Sequence, residues 1–250
     1  MIRRLEELSA NAWPGLRTVL VDGWVMRFAE GYSRRANSVL PMHEGTTPLA
    51  ERIGRCEALA LARGVVPTFK LTPSARPEGL DAELERRGYT REGATSVMVL
   101  EDLRAGAYGL PAGLRIRVSG CLEETWFDFY AGAGSLEARQ SAAARAIMAH
   151  IVPDRRFVLM KGEGGPAACA LAVVEDGWAG IFDVVVRKDL RGRGLGRKIM
   201  EAVLAEASAA GARRSYLQVV EGNRPAEALY RSLGYSVAYP YWYRARRALP

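Results

Sequence analysis

Arg191-Gly192-Arg193-Gly194-Leu195-Gly196 follows an apolar β-branched run ending in Val184-Val185-Val186 and leads into an amphipathic stretch that begins near Arg197. The order reads as strand, tight turn and helix N-terminus. Glycine at every second position leaves the turn's backbone amides uncovered, and the helix dipole adds a field that favours an anion. Arg191, Arg193, Arg197 and Lys198 add positive charge around the same spot. The stretch reads as a pyrophosphate cradle, the competing reading being a basic surface turn. A Walker loop is excluded because Arg197, Lys198 and Ile199 follow Gly196, so no metal-bound nucleotide is implied. The G-x-G-x-G spacing also departs from the dinucleotide fingerprint.

Composition narrows the class. The 250 residues are 49% hydrophobic and 25% charged, enough for a large core in one or two domains. No apolar run approaches the roughly 20 residues of a membrane span. Met1-Ile2-Arg3-Arg4-Leu5-Glu6-Glu7 carries acids where a signal peptide is apolar, and a cytoplasmic location is expected. Cys56, Cys121 and Cys169 are far apart, and His43 and His150 are the two histidines, so neither a disulfide framework, a metal site nor a His-dependent triad is expected. The net charge of +7 is densest at the glycine turn. A phosphorylated ligand there accounts for it, so nucleic acid and membrane are not expected partners. Arg244-Ala245-Arg246-Arg247 reads as a solvated end.

The chain contains one pattern twice. Gly88-Tyr89 and Gly234-Tyr235 each close an amphipathic stretch, 146 positions apart. The same offset places Glu30-Gly31-Tyr32 on Asp176-Gly177-Trp178, Val39 on Val185, Ile53 on Ile199 and Leu71 on Leu217. Hairpin, strand, helix, strand and helix thus align without a gap, which indicates a duplication. Opposite the glycine turn the first half reads Gly45-Thr46-Thr47-Pro48-Leu49-Ala50, and Pro48 has no amide hydrogen. Residue 1 falls on Ile147, so the first copy is expected to lack what precedes the hairpin. The expected division is a degenerate domain at 1–104, a Gly/Pro-rich linker at 105–113 and a catalytic domain at 114–250.

In the second half, strands are expected at 114–118, 157–161, 168–174, 178–186 and 215–220, with short strands around Ser236 and Tyr243. Helices are expected near 123–131, 136–149, 194–209 and 225–233. Leu195, Ile199, Val203 and Ala207 form one helical stripe that packs on the sheet. Arg191, Gly194 and Gly196 meet the pattern Q/R-x-x-G-x-G/A. Asn223-Arg224-Pro225-Ala226-Glu227-Ala228-Leu229-Tyr230-Arg231-Ser232-Leu233-Gly234-Tyr235 meets N-x-x-A-x-x-L-Y-x-x-x-G-F/Y. Both patterns resemble those of the GNAT N-acetyltransferase superfamily, across essentially all of 114–245.

The resemblance implies an α/β (α+β) GNAT fold: a mixed, mostly antiparallel sheet with a splayed parallel pair and flanking helices, here in two tandem copies with the first truncated and degenerate. It implies acetyl-CoA as acyl donor, one per chain and without metal, its phosphates on Arg191, Gly192, Arg193, Gly194, Leu195, Gly196 and Arg197. By the same resemblance the pantetheine arm pairs with Val184, Val185 and Val186, and Asn223 and Tyr230 contact the donor. The Tyr230 phenol, near pKa 10, keeps its proton at neutral pH and suits a general acid for the departing thiolate. Positions where some superfamily members carry a glutamate hold Gly180 and Gln218. Asp183, a lone acid in an apolar strand, and Glu221 are then the candidate bases, unless the amine loses its proton to solvent.

The implied reaction is acetyl transfer to the primary amine of a small molecule by direct attack in a ternary complex. Protein lysine or N-terminal acetylation and non-catalytic CoA binding are the alternatives. Tyr239, Tyr241 and Tyr243 alternate on one strand face and read as core, or as the wall of an acceptor pocket. The chain is expected as a monomer with an internal pseudo-dimer, or as a homodimer.

Overall fold

The computed structural model describes residues 1–104, 106 and 108–246. Ala105 and Ala107 of the expected linker, and Arg247 and residues 248–250 of the tail, lie outside the described residues. The first repeat runs α1 (Ile2–Ala12), β1 (Arg17–Val21), β2 (Trp24–Phe28), β3 (Val39–Leu40), α2 (Leu49–Leu61), β4 (Thr68–Leu71), α3 (Leu80–Arg86) and β5 (Thr90–Leu100). The second opens with β6 (Arg115–Ser119) and α4 (Glu124–Ala133). It then runs α5 (Ala138–Ala149), β7 (Asp154–Gly162), β8 (Gly165–Glu175), β9 (Trp178–Val186), α6 (Leu195–Ala209), β10 (Arg214–Val220), α7 (Arg224–Ser232) and β11 (Ser236–Ala245). From α5 onward the second repeat reproduces the first element for element. The first copy thus does carry a helix and strand ahead of its hairpin, α1 and β1, which the ungapped offset hid because the loops there differ in length. The two short strands expected around Ser236 and Tyr243 are one strand, β11.

Backbone detail repeats with the order. Glu30 and Gly31, inside the β2–β3 connection, have φ of 51° and 77°, and Asp176 and Gly177, the two-residue β8–β9 hairpin turn, have 51° and 73°, so one pair of turn dihedrals occurs in both. Helices α3 and α7 both end at a left-handed glycine, and the next amide reaches back in the same way: Tyr89 N–H to Leu84 O at 3.0 Å, Tyr235 N–H to Tyr230 O at 3.1 Å.

The chain packs as two compact units that do not coincide with the repeats. The first is 1–97 with 220–222 and 238–246, and the second is 98–219 with 223–237. In the first unit the strand order is β1-β2-β3-β4-β11-β5. The end of the second repeat is thus a strand of the first unit, with Trp242 opposite Leu71 and Arg244 opposite Phe69, antiparallel. Tyr239, Tyr241 and Tyr243 are buried there. Tyr239 donates to Glu6 at 2.8 Å, and Lys70 lies 4.1 Å from the Tyr241 ring centre, so these rings are core. The main core of this unit joins Trp24, Phe69 and Tyr89, edge to face, with Ile53, Leu71 and Leu84.

In the second unit β10, β9, β8, β7 and β6 follow in that order. Ala168, Ala170 and Ala172 of β8 share a core with Leu195, Ile199, Val203 and Ala207 of α6, so small strand residues let the helix stripe sit close to the sheet. Among the described residues no helix is long and apolar enough to cross a membrane.

The degenerate turn of the first repeat is filled from within. Asp22, in the β1–β2 turn, accepts the Thr47 amide at 2.7 Å and the Thr46 hydroxyl at 3.4 Å, with Arg52 Nε 3.9 Å away. Its carboxylate therefore sits at the start of α2, where a helix end favours an anion. The Thr47 and then the Thr46 amide bonds hold its pKa at about 2, against an ordinary 3.8. A folded value below the unfolded one contributes stability above pH 3.8 that is lost as pH falls through about 2. Asp22→Asn is expected to remove that part of the acid limb, measured as Tm between pH 5 and 2 against the parent. An unchanged acid limb would show that the bonds to Thr46 and Thr47 contribute nothing.

Candidate functional site

Strand β9 parts from β10 halfway along. Their parallel register runs from Arg214 opposite Trp178 to Leu217 opposite Ile181 and stops there. On its other side β9 keeps to β8, but Leu171 faces Phe182 and Cys169 faces Val185, so Asp183 and Val184 stand against Ala170 alone. That is a β-bulge, and Asp183 takes φ of 51° to make it. The bulge bends the strand, and the β10-facing edge of Val184, Val185 and Val186 is left outside the ladder. The splayed parallel pair lies where the resemblance implies it.

The glycine turn begins just beyond. Gly192 and Gly194 have φ of 76° and 78°, so they are glycine for conformation, with open space where a Cβ would be. Gly196 is glycine for proximity, since a Cβ would lie 3.3 Å from Leu229 of α7. Gly194 N-caps α6, and its carbonyl accepts the amides of Arg197 at 3.1 Å and Lys198 at 3.2 Å. Among the described residues no backbone carbonyl takes the amides of Gly192, Arg193, Gly194, Leu195 or Gly196. They form a run of donors at a positive helix end.

The cations are partly committed. Arg191 donates to Val186 O at 3.2 Å, fastening the turn to the strand. Arg197 donates to Ser232 Oγ at 2.6 Å, and Lys198 to Glu201 at 2.9 Å. Arg193 is exposed. Arg197 and Lys198 thus brace α6 against α7 and against its own first turn.

Asn223 Oδ1 caps α7 by accepting the Ala226 amide at 3.3 Å. The helix carries Tyr230, buried in the core beneath α6, its ring 6.1 Å from that of Tyr235. Tyr235 bonds Ser215 at 2.6 Å, whereas the Tyr230 hydroxyl has no hydrogen-bond partner among the described residues. Burial pushes the Tyr230 pKa up, so the phenol keeps its proton more firmly than in water. Asp183 is half-buried in the bulge, and its carbonyl accepts the Cys169 thiol at 3.7 Å. Burial, with the Asp183 charge second, pushes the Cys169 thiol well up and keeps it un-ionised. Glu221 is exposed beyond β10, its amide bonded to Ala94 O in the first unit. The second unit therefore gathers the turn, Val184–Val186, Asp183, Asn223 and Tyr230, while Glu221 packs with the first. Among the described residues no three His, Cys, Asp or Glu are grouped to hold a metal ion.

Two residues escaped the sequence reading. Phe182 and Tyr216 press on Gly180, where a Cβ would lie 2.5 Å from Tyr216 Oη and 2.7 Å from Phe182 Cε2. A lone glycine inside an apolar strand is the available signal for such close approach. Gly180→Ala is expected to cost about 1–3 kcal/mol by overpacking. Adding Tyr216→Ala should recover part of it, measured by urea unfolding; additive losses would mean the ring does not occupy that space.

The profile of the family described as probable histone acetyltransferase Rv0428c, C-terminal, matches residues 1–244. The chain is 26% identical to the uncharacterized N-acetyltransferase YobR of Bacillus subtilis (strain 168), over 98% of this chain and 99% of that protein. In structure it is similar to a GCN5-related N-acetyltransferase from Kribbella flavida, with a TM-score of 0.71 at 21% identity over 99% and 96% of the two chains. A tandem GNAT protein from the clavulanic acid biosynthesis pathway gives 0.68 at 16%, over 98% and 89%.

Proposed function

Because the chain belongs to the family of probable histone acetyltransferase Rv0428c, C-terminal, and with it to the GNAT acetyltransferases, we propose that it moves an acetyl group from acetyl-CoA to the primary amine of a small molecule, by direct attack in a ternary complex. The observation that carries this reading is the run of unspent amides from Gly192 to Gly196 at the end of a strand that has left its neighbour. The donor set suits an extended, phosphorylated thioester: helix-end amides for the pyrophosphate and a free strand edge at Val184–Val186 for the amide-bearing arm.

A thioester is already activated, so the protein's part is alignment and management of charge. Backbone amides of the Val184–Val186 edge align the donor and polarise its carbonyl. Tyr230 gives its proton to the departing sulfur. Asp183, in the bulge, accepts a hydrogen bond from the incoming amine. Tyr230→Phe is expected to lower kcat by about 10²-fold with acetyl-CoA binding retained, the usual size of a lost acid. An unchanged kcat would remove that role. Because burial raises the Tyr230 pKa above 10, no loss of activity from its ionisation is expected below pH 10. Gly194→Val, at a φ of 78°, should raise KM for acetyl-CoA strongly, and an unaltered KM would place the phosphates elsewhere.

A second reading, acetylation of protein lysines or N-termini, is favoured by the description of the family. Thiol release measured across amino acids, polyamines, aminoglycosides and peptides separates the two. Turnover with peptides alone would replace the small amine by a protein.

A further inference from the structure

The cleft between β9 and β10 has a closed end. Pairing stops after Ile181 opposite Leu217, and two aromatic rings lie across the strands at that level. Phe182 and Tyr216 meet edge to face, 6.2 Å apart at 86°, and Trp178 backs Tyr216 at 6.4 Å. Side-chain alternation puts Trp178, Gly180 and Phe182 on one face of β9, and Tyr216, in register with Gly180, shares that face. Gly180 is what allows the phenol to cross to β9. On the opposite face Ile181 and Leu217 are buried in the core with Tyr235. Phe182 and Tyr216 are 3% and 2% exposed, so both rings are packed into the interior.

We propose that the Phe182–Tyr216 pair is the floor of the acyl slot and confines the donor to a two-carbon acyl group. The proposal rests on the donor reading above, in which the thioester lies along Val184–Val186, immediately past Phe182. A carbon chain extended beyond acetyl has three ways to go. The β9–β10 ladder closes the plane of the sheet, Ile181 and Leu217 close one face, and the two rings close the other. Interiors packed to this density do not take in an added methylene without moving a side chain. Phe182 and Tyr216 are therefore specificity-determining residues whose effect falls on acyl length.

The test compares acetyl-, propionyl- and butyryl-CoA, using kcat/KM by thiol release and Kd by calorimetry without acceptor. In the parent protein kcat/KM should fall about 10-fold or more for each added methylene. Phe182→Ala should raise the butyryl-to-acetyl ratio of kcat/KM about 10-fold and tighten butyryl-CoA binding relative to acetyl-CoA. Phe182→Leu, a milder change in the same core, should shift the ratio in the same direction by less and serves if the alanine variant does not fold. Equal use of acetyl- and butyryl-CoA by the parent, or folded variants with an unchanged ratio, would overturn the floor while leaving the donor reading intact. Failure of every thioester to bind would overturn the donor reading, and the floor with it.

Discussion

A β-sheet offers backbone groups to a ligand only where two of its strands cease to pair, because every amide and carbonyl inside a ladder is already spent. In the second unit that break comes from one extra residue. Asp183 and Val184 face the single Ala170, and the bulge turns β9 away from β10 while β8 holds it in place. The glycine turn, the N-terminus of α6 and the cap of α7 are all reached from the opened edge. Without the bulge, Val184–Val186 would be three more buried strand residues and the amides of the turn would head a helix beside a closed sheet.

The corresponding part of the first repeat is arranged differently. Its parallel pair, β3 and β4, meets only at Val39 and Phe69. Its helix α2 starts after Pro48, and Asp22 lends a carboxylate to the amides there. Buried donors need an acceptor, and here Asp22 supplies it to the turn ahead of α2 from within the chain. The second repeat leaves the corresponding amides open, an arrangement that favours an external anion over the folded chain alone.

Much of this was legible in the residues. The α6 stripe, the β9 bounds from Trp178 to Val186 and the two acid-Gly turns follow from local periodicity and turn chemistry, which a chain carries without its tertiary neighbours. Other features were not legible. The place of β11 in the first unit depends on pairing between residues more than 150 positions apart, Tyr243 with Lys70 among them, and no local pattern encodes a partner at that distance. The partners of Arg197 and Lys198, Ser232 and Glu201, were not legible either, because a cation's partner is set by what folds beside it.

The sequence alone determined the duplication, the elements of the second repeat from β6 to α7 and the superfamily, since glycine spacing and helix periodicity are properties of neighbouring residues. Only the tertiary structure decided where β9 leaves β10, which glycine is needed for its φ and which for its closeness to Leu229, and what stands over Gly180. Those depend on strand register and on contacts across strands and helices. The order of residues permits such contacts, and the packed chain alone selects among them.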